Sequence, residues 1–240
     1  MSALHPVKLD VAIEKRPMTA PFHITGYTFT GFDALVVTLR EGSRMGRGEA
    51  QGVYYKHDNP PEMLAQLEAQ RDRIEHGITR AELLDLLPPG GARNALDAAL
   101  WDLEAKCRGI PAWQLAGIDP PCPLRTTFTI GADDPARMAE RARGFVDAHA
   151  LKLKLTDDDL NAERVRAVRA ARPNVWIMVD ANQGFTRDSL AHLLPTLQEC
   201  RVALIEQPFP IGNESWLDGL ERPIPIAADE SAQDHTDLPR

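Results

Sequence analysis

Residues 151–155 read Leu-Lys-Leu-Lys-Leu, and the segments after them repeat one design, an apolar run that stops on an acid. Residues 175–180 are Val-Trp-Ile-Met-Val-Asp, 202–206 are Val-Ala-Leu-Ile-Glu, and 224–229 are Ile-Pro-Ile-Ala-Ala-Asp. Runs of this length read as strands, with another at 126–130, and helical stretches lie between them at 135–148, 159–172 and 187–199. Strands alternating with helices predict a parallel sheet covered by helices, the α/β class. Strand side chains alternate faces, so Lys152 and Lys154 share one face while Leu151, Leu153 and Leu155 turn to the helices. Taken alone, the lysine face is explained as well by a solvated sheet edge.

The acids shift the balance. A carboxylate ending a buried strand is costly to desolvate unless something compensates it. Asp180, Glu206 and Asp229 lie about one βα unit apart and offer hard oxygen ligands. Such a set suits Mg2+, or Mn2+ in its place, better than zinc. The absence of His-x-x-x-His and Cys-x-x-Cys from the sequence agrees. Active sites of β/α barrels gather at the C-terminal ends of the strands, where these acids fall. A dication there can acidify a carbon beside a carboxylate and stabilise the enediolate that forms. A lysine with an ordinary pKa near ~10.4 is a poor base at neutral pH. A second lysine two residues away and a nearby dication both disfavour its charged form, which makes proton abstraction feasible.

The bulk properties exclude other classes. The 240 residues are 43% hydrophobic and 26% charged, ordinary soluble composition that allows one large domain or two smaller ones. A net charge of −8 argues against a nucleic-acid partner. No apolar run approaches the roughly 18 residues of a membrane span, and the N-terminus lacks the shape of a signal peptide. Cys107, Cys122 and Cys200, odd in number and far apart, read as free thiols. The expectation is a cytoplasmic enzyme with a small-molecule substrate and no membrane partner, its assembly into a homo-oligomer left open.

The first 50 residues read as an antiparallel meander. Residues 7–13 alternate, 34–39 are apolar between Gly31 and Gly42, and Gly-Arg-Gly-Glu-Ala at 46–50 reads as the end or kink of a third strand. A helix is predicted over 62–75 after Pro60 and Pro61. Another is predicted over 92–107, with Leu96, Leu100 and Leu103 on one face beside Ala95 and Ala99. A boundary in the proline-rich stretch 119–124 divides an N-terminal α+β domain, 1–120, from a β/α domain, 121–240. The second part holds about four and a half βα units, short of the roughly 250 residues of a complete eight-fold barrel. It is therefore either a barrel truncated after about five strands or a sheet that does not close.

Taken in order, Leu-Lys-Leu-Lys-Leu at 151, Val-Asp-Ala-Asn-Gln-Gly-Phe at 179, Ile-Glu-Gln-Pro-Phe at 205 and Ala-Ala-Asp-Glu-Ser at 227 resemble the enolase superfamily. Ala-Leu-Asp-Ala-Ala-Leu-Trp-Asp-Leu at 95 looks like its linking helix. Lys-x-Lys followed by Asp, Glu and Asp is similar to the muconate-lactonizing-enzyme subgroup, and Thr-Thr-Phe-Thr-Ile-Gly at 126 to its dipeptide epimerases. The resemblance implies an N-terminal α+β capping domain, an enolase-type barrel, and Mg2+-dependent epimerisation of a dipeptide such as L-Ala-L-Glu. It implies Lys154 as the acid/base on one face of the substrate α-carbon, with Lys152 positioning the carboxylate and tuning Lys154. Asp180, Glu206 and Asp229 would bind the metal, and Asn182 and Glu230 would orient those ligands. A capping-domain loop over 22–26 would bring Phe22 onto the substrate, and Thr127 and Thr129 would meet its polar groups. The opposing lysine and the acidic pair that grips the dipeptide amine would lie beyond Arg240, which implies a fragment of a longer product. Two alternatives remain, a lyase or cycloisomerase of the o-succinylbenzoate synthase or muconate cycloisomerase type, and a non-catalytic remnant.

Overall fold

The computed structural model describes residues 6–24, 27–53, 58–232 and 237. Two compact units result, Met1–Thr19 with Thr30–Cys122, and Ala20–Phe29 with Pro123–Arg240.

The first unit is built on a sheet of order β1-β2-β3, with β1 at Lys8–Ile24, β2 at Tyr27–Glu41 and β3 at Arg44–Ala50. β1 runs far past the expected 7–13 although it contains Pro17 and Pro21. Proline donates no ladder hydrogen bond, and β1 tolerates it because it is an edge strand. Antiparallel pairing sets Leu35 opposite Ala50, Val37 opposite Gly48, and Leu39 opposite Gly46. The stretch 46–50 forms the C-terminal part of β3, which ends at Ala50, and Gly46 and Gly48 lie inside the strand. They are there to admit the helix α4, Gly91–Arg108. A Cβ on Gly48 would stand 2.0 Å from the Ala95 carbonyl oxygen, and one on Gly46 2.2 Å from that of Ala99. The Ala95/Ala99 face of α4 thus lies directly on the sheet backbone, and Leu96, Leu100 and Leu103 join Leu9, Leu35, Val37 and Leu39 in one core.

Three shorter helices and one turn of helix complete this unit. The stretch expected as one helix over 62–75 is two, α1 at Pro60–Ala69 and α2 at Arg71–Glu75, with Gln70 outside helical geometry between them. Asn59 caps α1, its side chain accepting the Glu62 N–H at 3.1 Å. The helix α3, Arg80–Leu86, was not anticipated; it opens with a reciprocal Thr79–Glu82 capping box. The single turn α5 spans Ala112–Leu115.

In the second unit β4 (Phe128–Ile130), β5 (Ala150–Lys154), β6 (Trp176–Asp180), β7 (Val202–Glu206) and β8 (Ile226–Ala227) form a parallel sheet in that order. Helices α6 (Pro135–Gly144), α7 (Asn161–Ala171) and α8 (Arg187–Glu199) link the first four strands, and a 3-10 turn at Glu214–Leu217 precedes β8. Leu151, Leu153, Leu155, Ile177 and Val179 pack with Met138, Val165, Val168, Leu190 and Leu197 of the helices. This leaves Lys152 and Lys154 on the other face of β5. β8 is shorter than the predicted 224–229, because Pro223 and Pro225 sit at its start and cannot donate to a ladder. β8 ends at Ala227, and Asp229 lies past the strand. Among the described residues no helix is long and apolar enough to cross a membrane.

Candidate active site

The register of the parallel sheet builds the site. Lys154 is paired with Asp180, and Asp180 with Glu206, so the last residues of β5, β6 and β7 form one row across the C-terminal rim. The β6–β7 register slips between the pairs Ile177–Val202 and Met178–Leu204, which leaves Ala203 unpaired. The slip lets Val202 and Ile205 both enter the helix-covered core while Glu206 turns to the lysine face.

Lys152 reaches this row from two residues lower on β5. Its ammonium lies 2.8 and 2.7 Å from the two Glu206 oxygens and 2.8 Å from Asp180 Oδ2. Lys154 donates to Asp180 Oδ2 at 2.6 Å and to Asn182 Oδ1 at 2.7 Å. Asn182 in turn donates its amide to Glu230 Oε1 at 3.3 Å and its backbone N–H to Asp180 Oδ1 at 2.8 Å. Asp180 is 0% exposed and Lys154 9%. Six of the residues singled out in the sequence thus form one hydrogen-bonded chain.

Asp229 is exposed beside it, close enough to Glu206 for their charges to interact. Phe22 and Thr127 do not enter this network. Phe22 lies in β1 rather than in a loop, and its ring carbon Cδ2 would touch a Cβ placed on Gly131, at 3.3 Å. The remainder of the expected loop, Thr25 and Gly26, lies outside the described residues. Thr127 is half-buried one residue before β4, and Thr129 is exposed within it.

The electrostatics show what the rim requires. Burial pushes Glu206 above the ordinary carboxylate range; Lys152 pulls it back, and the like charges of Asp180 and Asp229 push it up again, for a net rise. Burial works to lower the Lys152 pKa, but its bonds to Asp180 and Glu206 outweigh that and hold it above the ordinary lysine value. Asp180, Glu206, Asp229 and Glu230 gather four carboxyl groups at a rim where Lys152 and Lys154 contact Asp180 and Glu206. A hard dication fits that donor set in both charge and ligand type. With the ammoniums on the carboxylate oxygens, no group of three or more His, Cys, Asp or Glu among the described residues is spaced to enclose a metal ion.

The family model for the N-terminal domain of mandelate racemase / muconate lactonizing enzyme matches residues 8–117, and that for the enolase C-terminal domain-like fold matches 137–240. The chain belongs to the enolase superfamily. Within that superfamily it is 36% identical to L-Ala-D/L-Glu epimerase of Escherichia coli over 227 residues, 94% of this chain and 70% of that protein. It is 33% identical to L-Lys-D/L-Arg epimerase of Methylococcus capsulatus, covering 67% of it. A solved enolase family member from Agrobacterium tumefaciens, with homology to dipeptide epimerases and with bound sodium and L-Ala-L-Glu, superposes with a TM-score of 0.92 at 39% identity. That match covers 97% of this chain and 71% of the other. The Methylococcus capsulatus dipeptide epimerase, complexed with Mg and L-Arg-D-Lys, superposes with a TM-score of 0.88 at 31% identity.

One residue that shapes this enolase-superfamily site escaped the sequence reading. Gln207 is 4% exposed, and its side chain ties the β7 end to the segment after β8. Oε1 accepts the N–H groups of Asp229 at 2.9 Å and Ser231 at 3.0 Å, while Nε2 donates to Phe209 O and Ser231 Oγ, both at 2.8 Å. Asn182, Gln183 and Gln207 all hold positive φ, at 43°, 69° and 35°. Strained backbone therefore concentrates in the turns that carry the acids.

Proposed function

We propose that this chain performs the proton abstraction of a Mg2+-dependent dipeptide epimerase, on a substrate such as L-Ala-L-Glu. The observation that carries the reading is the row of Lys154, Asp180 and Glu206, with Lys152 bridging the two acids at 2.7–2.8 Å. Asp180, Glu206 and Asp229 would hold the cation, and Asn182 and Glu230 orient Asp180 and Lys154 through their hydrogen bonds. When bound, the cation supplies Lewis-acid stabilisation of the negative charge that develops on the substrate carboxylate.

Lys154 removes the α-proton from one face of the substrate carbon and can return a proton to that face. Its bonds to Asp180 and Asn182 fix the position of Nζ. Lys152, held above the ordinary lysine value by Asp180 and Glu206, stays charged and attracts the substrate carboxylate. The epimerases among the relatives support this choice over the lyase alternative. Three free cysteines accord with a cytoplasmic setting.

Incubation with Mg2+ and L-Ala-L-Glu in D2O tests the reading by NMR. Expected is loss of an α-proton signal, abolished in a folded Lys154→Ala variant. Persistence of every α-proton across a panel of dipeptides, with Mg2+ uptake verified by calorimetry, overturns it.

A further inference from the structure

Basic side chains collect at the other, N-terminal ends of the parallel strands. Arg125 precedes β4, His149 precedes β5 and Arg201 precedes β7. With Trp176 at the start of β6 and Arg169 near the end of α7, they line a cavity of about 480 Å³ that no carboxylate lines among the described residues. β5, β6 and β7 are each five residues long, which sets the cavity roughly 13–17 Å from the carboxylate row.

Arg169 and Arg201 are held by backbone carbonyls rather than by acids. Arg169 donates Nε to Cys200 O at 2.7 Å, Nη1 to Val175 O at 2.7 Å, Pro173 O at 3.1 Å and Arg172 O at 3.2 Å, and Nη2 to Arg201 O at 3.2 Å. Arg201 donates Nη2 to Pro173 O at 2.7 Å. Carbonyls satisfy hydrogen bonds but leave the positive charge in place. Burial, and after it the like charge of Arg201, press the Arg169 guanidinium below its ordinary value. Arg201 also holds φ at 50°, a left-handed conformation that a side chain rarely adopts. Arginines elsewhere on α7 do have acids, Arg164 with Asp158 at 2.6 Å and Arg166 with Glu199 at 3.0 Å. In a chain of net charge −8, a cavity with three guanidiniums and no acid stands apart.

We propose that this cavity binds a compact phosphate-bearing anion of the diphosphate class. Arg201, with one carbonyl bond, keeps N–H groups that can pair with phosphate oxygens, Arg169 contributes its charge, and the Trp176 ring adds an apolar wall beside them. The site is separate from the carboxylate row and does not depend on the chemistry proposed there.

Titration of the full chain with inorganic pyrophosphate, without Mg2+ and at low salt, tests the assignment by calorimetry and tryptophan fluorescence. Expected is saturable binding that weakens as salt rises. The Arg125→Ala/Arg201→Ala double variant is expected to bind about tenfold or more weakly. Arg169 is left intact because its carbonyl bonds hold two turns. If Arg201→Ala does not fold, Arg125→Ala with His149→Ala serves instead, with the same expected loss. Absence of saturable binding, or unchanged affinity in a folded double variant, overturns the proposal. Saturable binding of citrate with none of pyrophosphate overturns the phosphate assignment.

Discussion

Replacing Gly48 by alanine measures how closely α4 approaches the first sheet. The added Cβ would stand 2.0 Å from the Ala95 carbonyl oxygen and 2.8 Å from the Ala98 Cβ. Ordinary contact begins near 3.4 Å, so strand and helix must part by about 1.4 Å at this point. Neither obstacle is the flexible end of a side chain, and no rotamer change relieves the clash. Overpacking of this kind costs about 1–3 kcal/mol, and a backbone obstacle places Gly48→Ala at the upper end. The loss of glycine freedom in the unfolded chain returns about 0.4–1 kcal/mol. A net loss of about 2–2.6 kcal/mol lowers the melting temperature by roughly 4–10 °C in a chain of this size. Two further variants separate sterics from backbone preference. Gly109 has φ +66° and open space around its Cβ position, so alanine there meets only the left-handed penalty of about 1–2 kcal/mol. Gly144 has open space and no left-handed φ, so alanine is neutral or stabilising. Thermal and urea unfolding should rank Gly48→Ala as the least stable, then Gly109→Ala, then Gly144→Ala, with the urea m-value unchanged. A Gly48→Ala protein that melts with or above Gly144→Ala would refute the close approach.

Other outcomes follow at the rim. Gln207→Met keeps the side-chain volume but removes the acceptor that holds Asp229 N–H, so Mg2+ affinity by calorimetry should fall about tenfold or more, and an unchanged affinity would show that Asp229 is held by other means. The raised Glu206 carboxyl makes Mg2+ compete with a proton, so affinity should be level at high pH and fall by up to about tenfold per unit below a break above the ordinary value near ~4.3. The sign for the metal-free protein is set by the same shift. The folded state binds the extra proton between the ordinary and raised values, so this group's contribution to stability falls as pH rises through that window. Glu206→Gln should remove both trends, and a Mg2+ break at or below the ordinary carboxylate value contradicts the assignment.

The chemistry was legible where it rests on period-two alternation. Lys152 and Lys154 fall on one face because strand geometry leaves no other choice, and Asp180 and Glu206 end strands whose apolar residues must meet helices. What was illegible depends on partners distant in sequence. Gln207 looks like any polar residue after a strand, and its role appears only when Asp229 and Ser231, 22 and 24 residues later, fold back onto it. The reason for glycine at 46 and 48 was illegible because nothing in residues 44–50 announces that α4, more than 40 residues later, fills the space their missing side chains leave. The α3 capping box at Thr79 and Glu82 was there to be read, but its seven-residue helix is too short for a strong periodic signal.

The core enforces the site. A slip of β6 by one residue against β5 would turn Asp180 toward the helices and bring Ile177 and Val179, both 0% exposed, to the lysine face. The same slip would leave a carboxylate among Leu190, Leu193 and Val168 with no cation to meet it. Hydrophobic burial on one face therefore fixes polar registration on the other. The Ala203 irregularity applies the same rule to β7, where the extra residue allows Val202 and Ile205 to be buried without moving Glu206 out of the row. Lys154, Asp180 and Glu206 share a face because any one-residue slip would turn buried leucine, isoleucine or valine out of the core. For that reason the proton-transfer apparatus can be assembled from residues 26 apart in sequence, with no loop to position any of its three members.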